Sequence, residues 1–195
     1  MLNELLKNHT LIVASASPRR QAFLKQMGLD FEIRLKEVQE VYPPSLKGGE
    51  ISEYLAQLKA AAFQGDLKEG DILLTSDTVV WHKGASLAKP SDAAEAHNML
   101  TRLSNDWHEV ITSVCFTTVA KQETFSSITH VRFKPLTEGE IHFYIENYGP
   151  YDKAGGYGIQ EWIGLIGIEE IKGSHPNVVG LPTHLVHKTL MDMVG

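Results

Sequence analysis

Residue type and spacing first suggest chemistry in Ser15-Ala16-Ser17-Pro18-Arg19-Arg20. Ser17 suits a helix N-cap and Pro18 the first helical position, so the two arginines fall in a first turn. That turn offers unpaired N–H groups and the positive end of the helix dipole, where cations are unfavourable and an anion is welcome. A phosphate chain held by Ser15, Arg19, Arg20 and the backbone would resolve the conflict. The alternative is a pair of arginines that snorkel into water at a cost of roughly a few tenths of a kcal/mol.

Asp77 is the second candidate. It follows the apolar run Ile72-Leu73-Leu74 through Thr75-Ser76, where a carboxylate is costly to bury unless a metal, a cation or several donors compensate it. Mg²⁺ uses one or two protein carboxylates together with phosphate oxygens, which this position suits. The competing reading is a strand-end carboxylate capped by Thr75, Ser76 or Thr78. Lys59 and Lys89 each border apolar positions, and a lone lysine is ordinarily just solvated. Counted with Arg19 and Arg20, they supply what a chain of formal charge −6 needs to hold a triphosphate.

The stretch from Tyr151 to Gln160 joins glycine mobility to amide and aromatic groups, and it can set Gln160 against a base edge; a tight surface loop is the other reading. No Gly-Lys-Ser/Thr follows it, so it is not a P-loop. His82, His97, His108 and His175 lack metal-ligand spacing. His184 and His187 lie three apart on an expected helix, and Ser174 lacks a nucleophile elbow.

The elements that must carry these residues read as follows. Leu11 to Ala14 is a buried strand, and the helix opened by Pro18 contains Phe23, Leu24 and Met27 before Gly28 stops it. Phe31, Ile33 and Leu35 alternate as a half-exposed strand. A loop from Tyr42 runs through Gly48-Gly49 to a helix with Ile51, Leu55, Leu58 and Ala62 on one stripe and Lys59 beside it. Ile72 to Trp81 is a buried strand carrying Asp77, followed by a turn at His82-Lys83-Gly84. Lys89-Pro90-Ser91 leads to a helix with Ala96, Met99, Leu100 and Leu103 inward. Strands are predicted at about 109–120 and 123–133, with Phe125, Ser127, Thr129, Val131 and Phe133 on one face. Thr137 and Glu140 form a capping box before Ile141, Tyr144 and Ile145. Residues 149–158 are irregular, Leu165 to Ile168 reads as a strand, Gly173 to Asn177 as a loop, and Thr183 as the cap of a last helix after Pro182. Strands and helices mix without a clean βαβ repeat, which predicts an α/β domain with a mixed sheet.

Composition sets the outer limits. A chain of 195 residues with 43% hydrophobic and 22% charged residues can form one core. Cys115 stands alone between Val114 and Phe116, which excludes an intramolecular disulfide and favours a small buried hydrophobe. The acidic balance argues against a nucleic-acid surface. No run approaches a membrane span and residues 1–10 show no secretory pattern, so a cytoplasmic protein is expected.

Six pieces in order carry a resemblance over nearly the whole chain: Ser15 to Arg20, Leu55 to Ala60, Ser76 to Val80, Lys89-Pro90, Asp152 to Gln160, and Asn177 to Pro182. The chain resembles the Maf family of nucleoside triphosphate pyrophosphatases. That likeness implies a single domain over 1–195, with a strongly twisted mixed sheet flanked by helices in a Maf/Ham1-like arrangement and a cleft between two lobes. It implies hydrolysis of the bond between the α and β phosphates, with Mg²⁺ or Mn²⁺ as cofactor.

By matching motif, Asp77 corresponds to the general base or a metal ligand, Glu40 to a second acidic ligand, Arg19 to a phosphate-contacting arginine, and Lys59 and Lys89 to catalytic-site lysines. Arg20, Thr78 and Gln160 match the trio tied to substrate choice in the branch that acts on dTTP and UTP. The chain departs from the familiar pattern in having Gly156 where Ala is usual, and Glu161-Trp162 after Gln160 where small residues are common. Alternatives implied by the same resemblance are action on 7-methyl-GTP or another modified nucleotide, and a non-catalytic nucleotide-binding regulator of cell division. The implied assembly is a homodimer.

Overall fold

The computed structural model describes residues 2–195. Next to one edge of the sheet, β1 (Thr10–Val13) lies parallel to β2 (Glu32–Ile33) and to the first half of β3 (Asp71–His82). The sheet then continues antiparallel through β5 (Trp107–Thr117), β6 (Gln122–Phe133) and β7 (Ile168–Lys172), in the order β2-β1-β3-β5-β6-β7. The short β4 (Ala85–Leu87) pairs antiparallel with the far end of β3. This is the mixed α/β sheet that the residue pattern predicts.

The continuous apolar run in β3 is explained by helices on both sides. Leu73 and Ile12 pack with Ala56, Ala60 and Phe63 beneath α3 (Gly49–Ala61), while Leu74, Ile72, Leu11 and Val13 pack with Leu24 of α2 (Pro18–Gln26) and with Val186 and Leu190 of α8 (Thr183–Val194). Cys115 is buried with the α3 group. Another cluster joins Val80 and Leu87 to Leu100 and Leu103 of α4 (Ala93–Leu103), Tyr144 of α5 (Glu138–Tyr148), Phe133 and Tyr157. A short N-terminal helix, α1 (Leu2–Leu5), adds Leu2 to the core beside α8.

Side chains alternate along a strand, and this decides where the chemistry of β3 points. Thr75 donates to the Ala56 carbonyl of α3 (2.7 Å) and Val79 packs with Ile51 and Leu55, so Asp77 between them also faces α3. Ser76 and Thr78 face the opposite way. On one edge of β3, β1 ends at Val13 opposite Leu74, and β4 starts pairing at Val80. Residues 75–79 therefore border an opening in the sheet.

Several expected elements differ. The alternation through Leu35 yields a strand of two residues, because β1 ends and offers only the Val13 carbonyl to the Arg34 N–H (3.2 Å); Ile33 and Leu35 are exposed. Phe125 is also exposed, since the outer half of β6 runs past the core that buries Thr129, Val131 and Phe133. The expected strand from Leu165 to Ile168 is a helix, α6 (Trp162–Gly167), with β7 only beginning at Ile168. A short apolar run fits either period; here Ile163 and Gly167, four apart, turn inward and Leu165 outward.

The loop expected around Pro176-Asn177 is a short helix, α7 (His175–Val179), closed by Gly180 at φ 117°. Thr183 is not a cap: Pro182 occupies the N-cap position, and its carbonyl accepts from the Val186 N–H (3.0 Å). The capping box of Thr137 and Glu140 and the inward set of α4 are present as expected.

Candidate active site

The opening beside β3 leads into a cleft of about 980 Å³. Its boundary includes Ser15, Arg19, Arg20, Glu40, Lys59, Asp77, Thr78, Lys89 and Gln160, so the candidate catalytic, substrate-binding and metal-binding residues named from the sequence line one cleft.

At the floor, the Lys59 ammonium lies between two carboxylates. It donates to Asp77 Oδ1 (2.6 Å) and pairs with Glu40 Oε1 (2.8 Å). The two acids differ in environment. Asp77 is buried beneath α3, and loss of hydration raises its pKa against the pull of Lys59 and Arg20. Glu40 is exposed; its partial desolvation is outweighed by the hydrogen bond and charge of Lys59 and by the charges of Lys89 and Arg20, which hold its pKa low.

The arginines that the sequence presents as a pair play different parts. Ser17 caps α2 by accepting from the Arg20 N–H (3.4 Å) and Pro18 fills the first position, as predicted. Arg20 then turns inward. Its Nε donates to the Gly180 carbonyl (2.8 Å), one terminal nitrogen to the Ser76 carbonyl (3.1 Å), and the other to Thr78 Oγ1 (3.1 Å). The reason is the sheet opening: the Ser76 carbonyl has no strand to pair with there, and a buried carbonyl needs a donor. Arg20 is thus neither a snorkelling side chain nor free to commit its whole fork to phosphate. Arg19 stays half-exposed toward the cleft, with a loose contact to Asp152 Oδ2 (3.8 Å).

Thr78 is engaged as well. Thr112 Oγ1 donates to the Asn177 carbonyl (2.9 Å), so the hydroxyl proton between Thr78 and Thr112 (2.9 Å) belongs to Thr78. Asn177 in turn donates to the Val110 carbonyl and Thr129 Oγ1, each at 3.0 Å. This buried relay supports Arg20 from behind. Sequence reading assigned Asn177 and Thr112 no role; a fully buried amide can be recognised only when its partners on β5 and β6 are known.

The glycine-rich segment is packed against its surroundings. Gly155 has φ 73°, and a Cβ there would lie 3.0 Å from Val80; Gly156 has φ 70° and lies against Pro90 and Ala96. Glycine serves close approach at Gly155 and left-handed backbone at both positions, where the sequence suggested mobility. The buried Tyr157 hydroxyl meets His108 Nε2 (2.7 Å), and burial drives the His108 pKa down to about 3, leaving the imidazole neutral. Gln160 emerges exposed on the cleft wall, and Lys89 is exposed on the same boundary. Lys153, which sequence reading left without a role, is buried in that wall; a lysine between Asp152 and a Gly-Gly pair was the available signal.

Among the described residues, no group of three or more His, Cys, Asp or Glu side chains is placed to hold a metal by itself. No helix among them is long and apolar enough to cross a membrane.

The description of Maf-like proteins matches residues 10–193. A dTTP/UTP pyrophosphatase of Flavobacterium johnsoniae is 54% identical over 194 residues, covering 100% of both chains. A dTTP/UTP pyrophosphatase of Bacteroides fragilis is 44% identical over 189 residues, covering 96% of this chain and 98% of the other. Among solved structures, the Ham1 protein of Staphylococcus aureus is similar with a TM-score of 0.51 at 13% identity, covering 92% of this chain and 99% of that one; the likeness is one of fold.

Proposed function

The chain belongs to the family of Maf-like proteins, and from that premise we propose that it hydrolyses dTTP and UTP to the monophosphate and pyrophosphate. The observation that carries this reading is the floor of the cleft, where Lys59 bridges Asp77 and Glu40. The named activity of relatives at 54% and 44% identity supports the same substrates.

The two carboxylates converge on one ammonium, so a cation is already accommodated where they meet. A pair of carboxylate donors with phosphate oxygens completing the shell fits Mg²⁺ or Mn²⁺. Asp77 and Glu40 are the residues proposed to hold it. When bound, the metal supplies charge neutralisation on the triphosphate.

The chain's own groups divide the remaining work. Asp77, on the cleft floor beneath α3, would position or deprotonate the attacking water. Glu40, kept anionic by its cationic neighbours, is the better standing ligand. Lys59, which lines the cleft beside both carboxylates, would balance charge on the triphosphate. Arg19 and Lys89 face the cleft to balance charge on departing pyrophosphate. Gln160 offers one acceptor and two donors for the edge of thymine or uracil.

A net charge of −6 with these local cations suits a small anionic substrate better than nucleic acid. A homodimer is the proposed assembly, read by light scattering of the purified chain. The central test is pyrophosphate release from dTTP, UTP, CTP, GTP, ATP and 7-methyl-GTP with Mg²⁺ or Mn²⁺. Release from dTTP and UTP that disappears in Asp77→Asn is the expected result. Preference for 7-methyl-GTP, or silence across the panel, would overturn it.

A further inference from the structure

The turn that presents Gln160 is held by a group outside the site described so far. Glu161 immediately follows Gln160. Its Oε1 pairs with Lys153 Nζ (3.0 Å), and its Oε2 accepts a hydrogen bond from the Tyr144 hydroxyl of α5. Tyr144 is fully buried, and its oxygen also accepts from the Gly158 N–H (2.9 Å). Lys153 has a second partner in Asp152 Oδ1 (2.6 Å), the residue that approaches Arg19. One acid therefore ties the turn to a core helix and, through Lys153, to the phosphate side of the cleft.

The backbone is shaped around this arrangement. A Cβ on Gly158 would lie 2.7 Å from Glu161 Cδ and 3.0 Å from Lys153 Cε, so the turn rests directly on the ion pair. The Ile159 carbonyl sits against Gly164 closely enough that a Cβ there would be 2.0 Å away. The next residue, Trp162, packs on Phe143 of the same helix with ring centroids 4.7 Å apart. Gln160 itself is exposed between these fixed points and, alone, would keep its rotational freedom.

We propose that Glu161 is a specificity-positioning residue, which through Tyr144 and Lys153 locks the 158–160 turn so that the Gln160 amide meets the pyrimidine base in one orientation. The proposal rests on the functional reading above for the identity of the base. The locking of the turn is a separate, directly measurable property. Glu161 does not touch the reacting phosphates; it acts by lowering the entropy that Gln160 loses on binding.

Hydrogen exchange of the 157–162 amides and steady-state kinetics with dTTP, UTP and CTP test this together, in Glu161→Ala, Glu161→Gln and Tyr144→Phe. Glu161→Ala is expected to speed exchange in the turn and to raise KM for dTTP and UTP by about tenfold, the worth of one good hydrogen bond. The loss should fall on KM more than kcat, and preference over CTP should narrow. Tyr144→Phe should act in the same direction, and the double variant should be no worse than the worse single one, because both break one latch. Glu161→Gln keeps an acceptor for Tyr144 and should recover part of the KM; it also gives the answer should the alanine variant fail to fold.

Unchanged exchange in Glu161→Ala, or an equal kcat loss with every nucleotide, would overturn the proposal. A wild-type protein without pyrimidine preference would defeat the functional reading and the specificity role with it. Faster exchange in Glu161→Ala would still uphold the latch on the turn.

Discussion

The two walls of the cleft are built by opposite means. The wall at 150–161 is clamped: Gly155 and Gly156 lie against Val80, Pro90 and Ala96, Tyr157 is buried on His108, and Lys153 is buried among carboxylates. The wall at 34–46 has no regular structure beyond its first contact with β1 and leaves Leu35 and Val41 exposed, at 58% and 70%. It is tied down at points, by Lys36 to the Ala62 carbonyl (2.8 Å), by Glu40 to Lys59, and by Tyr42 and Leu46 against Ile51 and Leu55. On the functional reading proposed above, Gln160 would read a base edge at fixed distances from the clamped wall, and Glu40 would meet the substrate's charge from the irregular one.

Substitutions can break or sharpen this contrast. The largest effect is expected at the floor shared by both walls: Asp77→Asn should reduce turnover by about 10³-fold or more. Burial raises the Asp77 pKa, so its ionised form costs folding stability above that pKa. The Asn variant should therefore melt at pH 7 no lower than wild type, while Lys59 keeps Glu40. A clear drop in the melting midpoint would show that the Lys59–Asp77 pair outweighs the burial cost.

On the clamped wall, the next effect appears with acid. His108 has its pKa lowered to about 3, so the stability it contributes is fully present above the unfolded pKa of about 6.5 and is lost as pH falls toward 3. At about 1.4 kcal/mol per pK unit, the loss is on the order of several kcal/mol. Melting curves across this range should be flatter in His108→Gln than in wild type.

Gly155→Ala should cost about 2 kcal/mol, from the left-handed backbone and the contact with Val80, and denaturant titration would read it. Glu40→Gln should lower activity by about tenfold and raise the metal concentration needed. The low pKa of Glu40 makes its stabilisation present at neutral pH and lost as pH falls through that pKa. Because the group is exposed, that stabilisation is at most about 1 kcal/mol at pH 7. A large stability loss from Glu40→Gln would erase the distinction between the walls.

The parts legible in the sequence are those whose causes are local. Ser17-Pro18 and the Thr137–Glu140 box announce helix starts because the groups that satisfy the first N–H donors are three residues away. Ile72 to Val80 announces a strand covered on both faces, and the α4 stripe announces its buried side. Leu165 to Ile168 misleads because three hydrophobic residues and a glycine carry no period, and Leu35 misleads because alternation cannot supply a neighbouring strand. The glycines of 155–158 signal unusual backbone, yet mobility and close packing have the same composition.

By itself, the sequence determined the cast of the cleft: a cap with cations behind it, an acid inside an apolar strand, isolated lysines, and a glycine-rich stretch ending in Gln160. Only the tertiary structure decided their parts. Arg20 turns inward because β1 and β4 leave the Ser76 carbonyl without a strand partner. Lys59 meets Asp77 because α3 covers the odd-numbered face of β3, and it meets Glu40 because the 34–46 segment crosses the same opening. Partners 18 to 160 residues apart lie beyond any local pattern, and at a buried polar site the partner sets both the charge state and the role.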